Sequence, residues 1–201
     1  DQAMVFATIN LEQTKVNKSL AYDLFDYAKQ RSPQKTCHNI VRLLDNKEGS
    51  PFKGKIKTLG TAGDPGETLS QALFIDALLP MISPNPRRDR DLLKRGKKPP
   101  AATPAEDQSL IFRNMFLSER DADIARVLWN YFGAVEDKWG EYWRLVRKGY
   151  VLNRTTGFRG ITLFLPYAYL SIARPGGVPS REQFGQVFAM VSLHGRDITP
   201  D

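Results

Sequence analysis

A mainly α-helical, multi-helix fold with very little strand is what this sequence predicts, on three observations. Apolar residues recur at three- and four-residue spacings along most of the 201-residue chain. Helix-starting residues (a Ser-Pro pair, Ser180, Asp121) stand directly before several of these runs. Only one short stretch, centred on Ile56, reads as a strand.

Taken in order, Met4, Val5, Phe6 and Ile9 mark the last turns of a first helix. Asn17 or Ser19 caps a second, on which Leu20, Leu24 and Ala28 form one stripe beside Phe25. Ser32-Pro33 is a good cap and first-residue pair. It opens a helix to about Lys47, with Cys37, Ile40, Val41 and Leu44 inward and Gly49 as its end. "PFKGKIKTLG" holds the strand. Thr68 or Ser70 then starts a helix whose face is Leu73, Phe74, Ala77, Leu78 and Ile82, ended or bent by Pro80.

Residues 83–108 change character: five prolines, a cluster of Lys and Arg, and only Leu92 and Leu93 as bulky apolar residues. They read as a basic linker or mobile loop. Beyond it, Asp121 caps a helix with Ile124, Ala125, Leu128 and Phe132 on one side, and Tyr150–Leu152 is a short extended piece. "NRTTGFRG" is a turn leading to an apolar helix from Ile161 to about Ala173. Ser180 caps a last helix carrying Phe184, Val187 and Phe188. The total is seven or eight helices, arranged as two lobes, 1–82 and 109–201, either side of 83–108. Contact between the lobes is expected, because neither has material for a comfortable core alone.

Composition narrows the function. Lys and Arg number 29 against 22 acids, a net charge of +7, which favours an anionic partner, nucleic acid first. The single cysteine, Cys37, excludes an intrachain disulfide and points to a reducing, cytoplasmic setting. With only His38 and His194 beside it, a Cys/His zinc site is not expected, and no metal or cofactor is. Cys37 reads as half-buried and His38 as a surface residue. No apolar run reaches the roughly 20 residues that span a bilayer, and no signal peptide is read.

Seven cations fall within twelve residues: Arg87, Arg88, Arg90, Lys94, Arg95, Lys97 and Lys98. Such a cluster binds a phosphate backbone, here as a flexible arm given Gly96 and Pro99-Pro100; the competing reading is a solvated loop. In "NRTTGFRG", Arg154, Thr155, Thr156 and Arg159 place donors around two glycines, suited to an anion at a helix start or, more simply, to capping by Thr155 or Thr156. Trp129, Tyr131, Phe132, Trp139, Tyr142 and Trp143 have the four-residue spacing of a core and not of a base-stacking surface. The acids Glu119, Asp121, Asp123, Glu136, Asp137 and Glu141 sit on helix starts and faces, where they complement the helix dipole or pair with Arg126 and Lys138. No nucleophile–base set is spaced for catalysis.

The opening run carries a resemblance. Phe6, Ile9, Asn10, Gln13, Lys15, Val16, Lys18, Ser19, Leu20, Asp23 and Leu24 resemble the segment that follows the signature of DGQHR-domain proteins. These are DndB-like regulators associated with DNA phosphorothioation and are distantly ParB- and sulfiredoxin-like. "DRDLLKRGKK", "IARVLWNYFGAV" and "YVLNRTTGFRG" also look like the C-terminal half of such proteins. The Asp-Gly-Gln-His-Arg motif itself is absent, and the chain opens on Asp1-Gln2. The resemblance therefore implies the C-terminal part of an α+β ParB-like protein, its motif-bearing half lying upstream or on another chain. It implies that Asn10 and Gln13 bond phosphate, sugar or the neighbouring loop, with Lys15 and Lys18 adding charge. Capping by Asn10 and Ser19 is the alternative. The function it implies is DNA association in a bacterial DNA-modification, restriction or phage-defence system, this part giving backbone binding and scaffold. Two further classes stay open: a structural lobe of a nucleotide-hydrolysing or nucleic-acid-processing enzyme, and a protein-interaction module. The oligomeric state is not read from the sequence.

Overall fold

The computed structural model describes residues 30–58 and 66–198. The two helices expected before Gln30, with Asn10, Gln13, Lys15 and Lys18, lie outside the described residues.

The fold is mainly helical. Among the described residues there are seven α-helices: α1 (Pro33–Asn46), α2 (Gln71–Ile82), α3 (Pro86–Lys94), α4 (Arg113–Leu117), α5 (Asp121–Arg144), α6 (Thr155–Ile172) and α7 (Arg181–Ala189). One two-stranded parallel pair accompanies them, β1 (Ile56–Lys57) beside β2 (Leu69–Ser70), with Ile56 opposite Leu69.

Three helix starts follow the expected chemistry. Ser32 accepts from the Lys35 amide with Pro33 next in line, Ser70 accepts from Leu73, and Ser180 forms a capping box with Gln183. The core is aromatic and continuous across the basic segment. Phe52 is its centre, with ring centroids 4.8 Å from Phe74, 4.6 Å from Phe132, 5.5 Å from Trp143 and 6.1 Å from Phe158. Those rings come from α2, α5 and α6, so one loop residue ties both halves of the chain together. The Trp143 indole N–H donates to the Pro51 carbonyl at 3.0 Å, which satisfies it in the interior. Trp139 and Trp143 are buried, as the spacing predicts, while Trp129 and Tyr142 are partly buried.

Several expectations need correction. Asp121 is no cap: Arg120 holds that position and Asp121 sits in the first turn. There its carboxylate takes an ion pair from Arg31 and a 3.0 Å hydrogen bond from Thr36, tying α5 to the start of α1. His38 and Cys37 are both fully buried, because the inward face of α1 is wider than one stripe. Gln71 and His38 Nδ1 are hydrogen-bonded at 2.6 Å. Tyr150–Leu152 makes no strand. Within "NRTTGFRG", Thr155–Gly160 are not a turn but the first turns of α6, with Arg154 at its cap position; α6 also runs through Pro166 to Ile172. Gly157 makes this start possible: a Cβ there would lie 2.3 Å from the Val151 carbonyl oxygen and 2.4 Å from the Leu152 Cα. The glycine serves close backbone contact, not flexibility.

Candidate nucleic-acid interface

The basic segment is built around a helix. Asn85 accepts from the Arg88 amide at 3.0 Å and Pro86 fills the first position, so the run from Pro86 to Lys94 starts as helices do. Lys94 lies in its last turn, where a cation complements the dipole. The composition hid this element, because prolines and charges read as loop while two of those prolines flank or open the helix.

What holds α3 in place is a buried ion pair. Asp89 is 2% exposed and Arg113, at the start of α4, is 1% exposed. Arg113 donates to both carboxylate oxygens of Asp89, to the Ile82 carbonyl at 3.2 Å, and twice to the Pro100 carbonyl at 3.0 and 2.7 Å. All the N–H groups of the guanidinium are used. Asp89 also accepts from Ser83 at 2.5 Å. One side chain thus clasps the end of α2, the middle of α3 and the chain after it. With every polar atom answered, the pair is of the kind that tolerates burial. Asp89, which reads in the sequence as a charge opposing the neighbouring arginines, faces the other way.

The cations are consequently sorted. Arg87, Arg88, Lys94, Arg95, Lys97 and Lys98 are exposed. Arg90 pairs with Asp91 at 3.0 Å and is half-buried. Arg87, Arg88, Asp91, Leu92 and Arg95 line a shallow depression of about 350 Å³ on the outward face. Arg88, Leu92 and Arg95 are spaced i, i+4, i+7 and so share that face. This is a fixed basic ridge followed by two more lysines, where a flexible arm was expected.

The second expected cluster is not brought together as a unit. Arg154 takes the cap position of α6 without a side-chain capping bond, and its Nε donates to the Tyr150 carbonyl at 3.0 Å. Thr155 and Thr156 are exposed and neither caps the helix. Arg159 instead lines a groove between α2 and α6.

Besides Asp121, four of the acids singled out from the sequence are occupied in ion pairs or hydrogen bonds, though not with Arg126 or Lys138. Asp123 meets Arg120 at 2.7 Å, Asp137 meets Arg181 at 2.6 Å, Glu136 lies 3.8 Å from Arg144 and 3.9 Å from Arg181, and Glu141 accepts from Tyr150 at 2.8 Å. Among the described residues no group of three His, Cys, Asp or Glu side chains is placed to hold a metal ion. No helix among them is long and apolar enough to cross a membrane. Burial pushes the Cys37 thiol well above its ordinary range, with the Asp121 charge adding to the effect, so it stays protonated.

No family model matches the chain, and neither a curated protein nor a solved structure matches it.

Proposed function

We propose that this chain is a nucleic-acid-associated protein that grips a phosphate backbone with α3 and the lysines that follow it. The observation carrying this is the Asp89–Arg113 clasp, which turns Asp89 inward and leaves Arg87, Arg88, Lys94 and Arg95 outward on an anchored element, with Asp91 paired to Arg90. An anchored helix presents its charges without the ordering cost that a mobile arm meets on binding. The +7 net charge adds a favourable long-range field.

The sequence resemblance to DGQHR-domain proteins supports reading this activity as part of a bacterial, cytoplasmic DNA-modification, restriction or phage-defence system. DNA is then the partner, and this portion supplies backbone binding and scaffold for the motif-bearing half. Replacing Arg87, Arg88, Lys94 and Arg95 together with alanine is expected to weaken binding to a labelled DNA duplex at least tenfold at low salt, as followed by fluorescence anisotropy. Unaltered affinity in that variant would reject α3 as the contact.

A further inference from the structure

A large cavity lies away from α3, between α2 and α6. It measures about 790 Å³ and is walled by Leu73, Ala77, Pro80 and Met81 on one side and by Leu163, Pro166, Tyr167 and Leu170 on the other. The two helices run side by side in the same direction. Phe74 and Phe158, in their first turns, are 4.9 Å apart, while Met81 and Tyr169, near their ends, both meet Phe112. Three features of this groove point to one class of occupant.

The first is Tyr167, a large planar ring left 74% exposed on the groove wall, beside Leu163 at 73%. The other described tyrosines, tryptophans and phenylalanines are buried or half-buried. The second is Arg159, two turns earlier on the same face of α6 and about 12 Å away along the axis. It is exposed and has no ion pair among the described residues. The third is continuity. A second hollow of about 320 Å³ shares Asp76, Pro80 and Ser109 with the groove and runs on to Pro84 and Pro86, at the foot of α3. The hollow thus joins the groove to the start of α3, with Glu106 and Asp76 as the carboxylates on its lining. The Gln108 amide on the groove lining offers both a donor and an acceptor to the edge of an unpaired base.

We infer that the α2–α6 groove takes unpaired nucleotides of the strand held by α3, with a base stacked on Tyr167 and a phosphate met by Arg159. The site therefore rests on the reading of α3 proposed above and narrows it from nucleic acid in general to nucleic acid with an unpaired stretch. Sequence-tolerant stacking on an exposed ring, next to a cationic track, is how single strands are commonly held.

The test compares a 20-nucleotide single strand with its duplex, using the full chain and the variants Tyr167→Ala, Tyr167→Phe and the triple change of Arg87, Arg88 and Arg95 to Gln. Tyr167→Ala is a surface change and is expected to leave the circular dichroism spectrum unaltered. It is expected to weaken single-strand binding about tenfold, within the range of one base–aromatic stack, and to leave duplex binding unaltered. Tyr167→Phe keeps the ring and keeps the affinity. A strand carrying 5-iodouracil is expected to photocrosslink to a peptide containing Tyr167. Equal binding of single strand by Tyr167→Ala, equal loss on strand and duplex, crosslinks only elsewhere, or a Tyr167-dependent change in the protein's own sedimentation would overturn the assignment. If the arginine triple loses binding while Tyr167→Ala does not, α3 stands and the groove falls. If the unaltered chain binds neither nucleic acid, both fall.

Discussion

Arg113 shows how much one buried residue decides here. Removing one partner of a satisfied buried ion pair leaves the other charge stranded, at about 3–5 kcal/mol. Asp89→Asn is therefore expected to lower the unfolding free energy by that amount in urea titration. It should also raise amide exchange in α3 before the rest of the molecule opens. Asp137 makes the opposite case. The Arg181 guanidinium bonded to it holds its carboxyl below the ordinary aspartate value. A depressed carboxyl contributes stability that is fully present above the unfolded-state value of about 3.9 and fades as pH falls through the folded one. Both side chains are substantially exposed, at 60% and 36%, so the contribution is below about 1 kcal/mol. Arg181→Gln should accordingly lower stability by less than about 1 kcal/mol at neutral pH and by nothing measurable in strong acid, which flattens the acid limb.

Among elements, the start of α6 is the most exacting. Its first turn lies against the backbone of Val151 and Leu152, and a Cβ at Gly157 has carbonyl and Cα atoms in its way rather than movable side-chain ends. Gly157→Ala is expected to cost about 3 kcal/mol, at the upper end of overpacking effects, despite alanine's better helix propensity. A melting temperature equal to that of the unaltered chain would contradict this. The same element explains which parts of the fold could be read from sequence alone. Helices whose start is written in local chemistry, such as Ser32-Pro33 and Ser180 with Gln183, came out at their correct positions. Thr155–Gly160 did not, since what makes it helical is a tertiary contact made by a glycine that looks like a turn residue. The helix α3 was hidden in the same way: its stabilising partner, Arg113, lies 24 residues beyond Asp89 and has no local signature. The cations of the site were visible as a cluster; their sorting into an outward ridge depended on that distant arginine. Likewise Tyr167 sits in a run that reads as uniformly apolar, and only the packing of α6 reveals that this ring faces outward.

For the molecule as a whole, Phe52 is the informative position. It lies in a loop, yet it contacts rings from α2, α5 and α6 and is fully buried. A chain sharing one core across 83–108 unfolds as one unit. Tryptophan fluorescence, reporting on α5, and far-ultraviolet circular dichroism should therefore give coincident urea transitions. Phe52→Ala should shift both together by about 3–5 kcal/mol; separate transitions would mean independent lobes.

The claim that α3 is a phosphate-binding ridge is tested most directly by the salt dependence of duplex binding. The plot of log K against log salt is expected to be steep for the unaltered chain. It should lose about 0.9 of slope for each phosphate-contacting cation removed at Arg87, Arg88, Lys94 or Arg95. A slope that stays the same as these charges are removed one by one would contradict it.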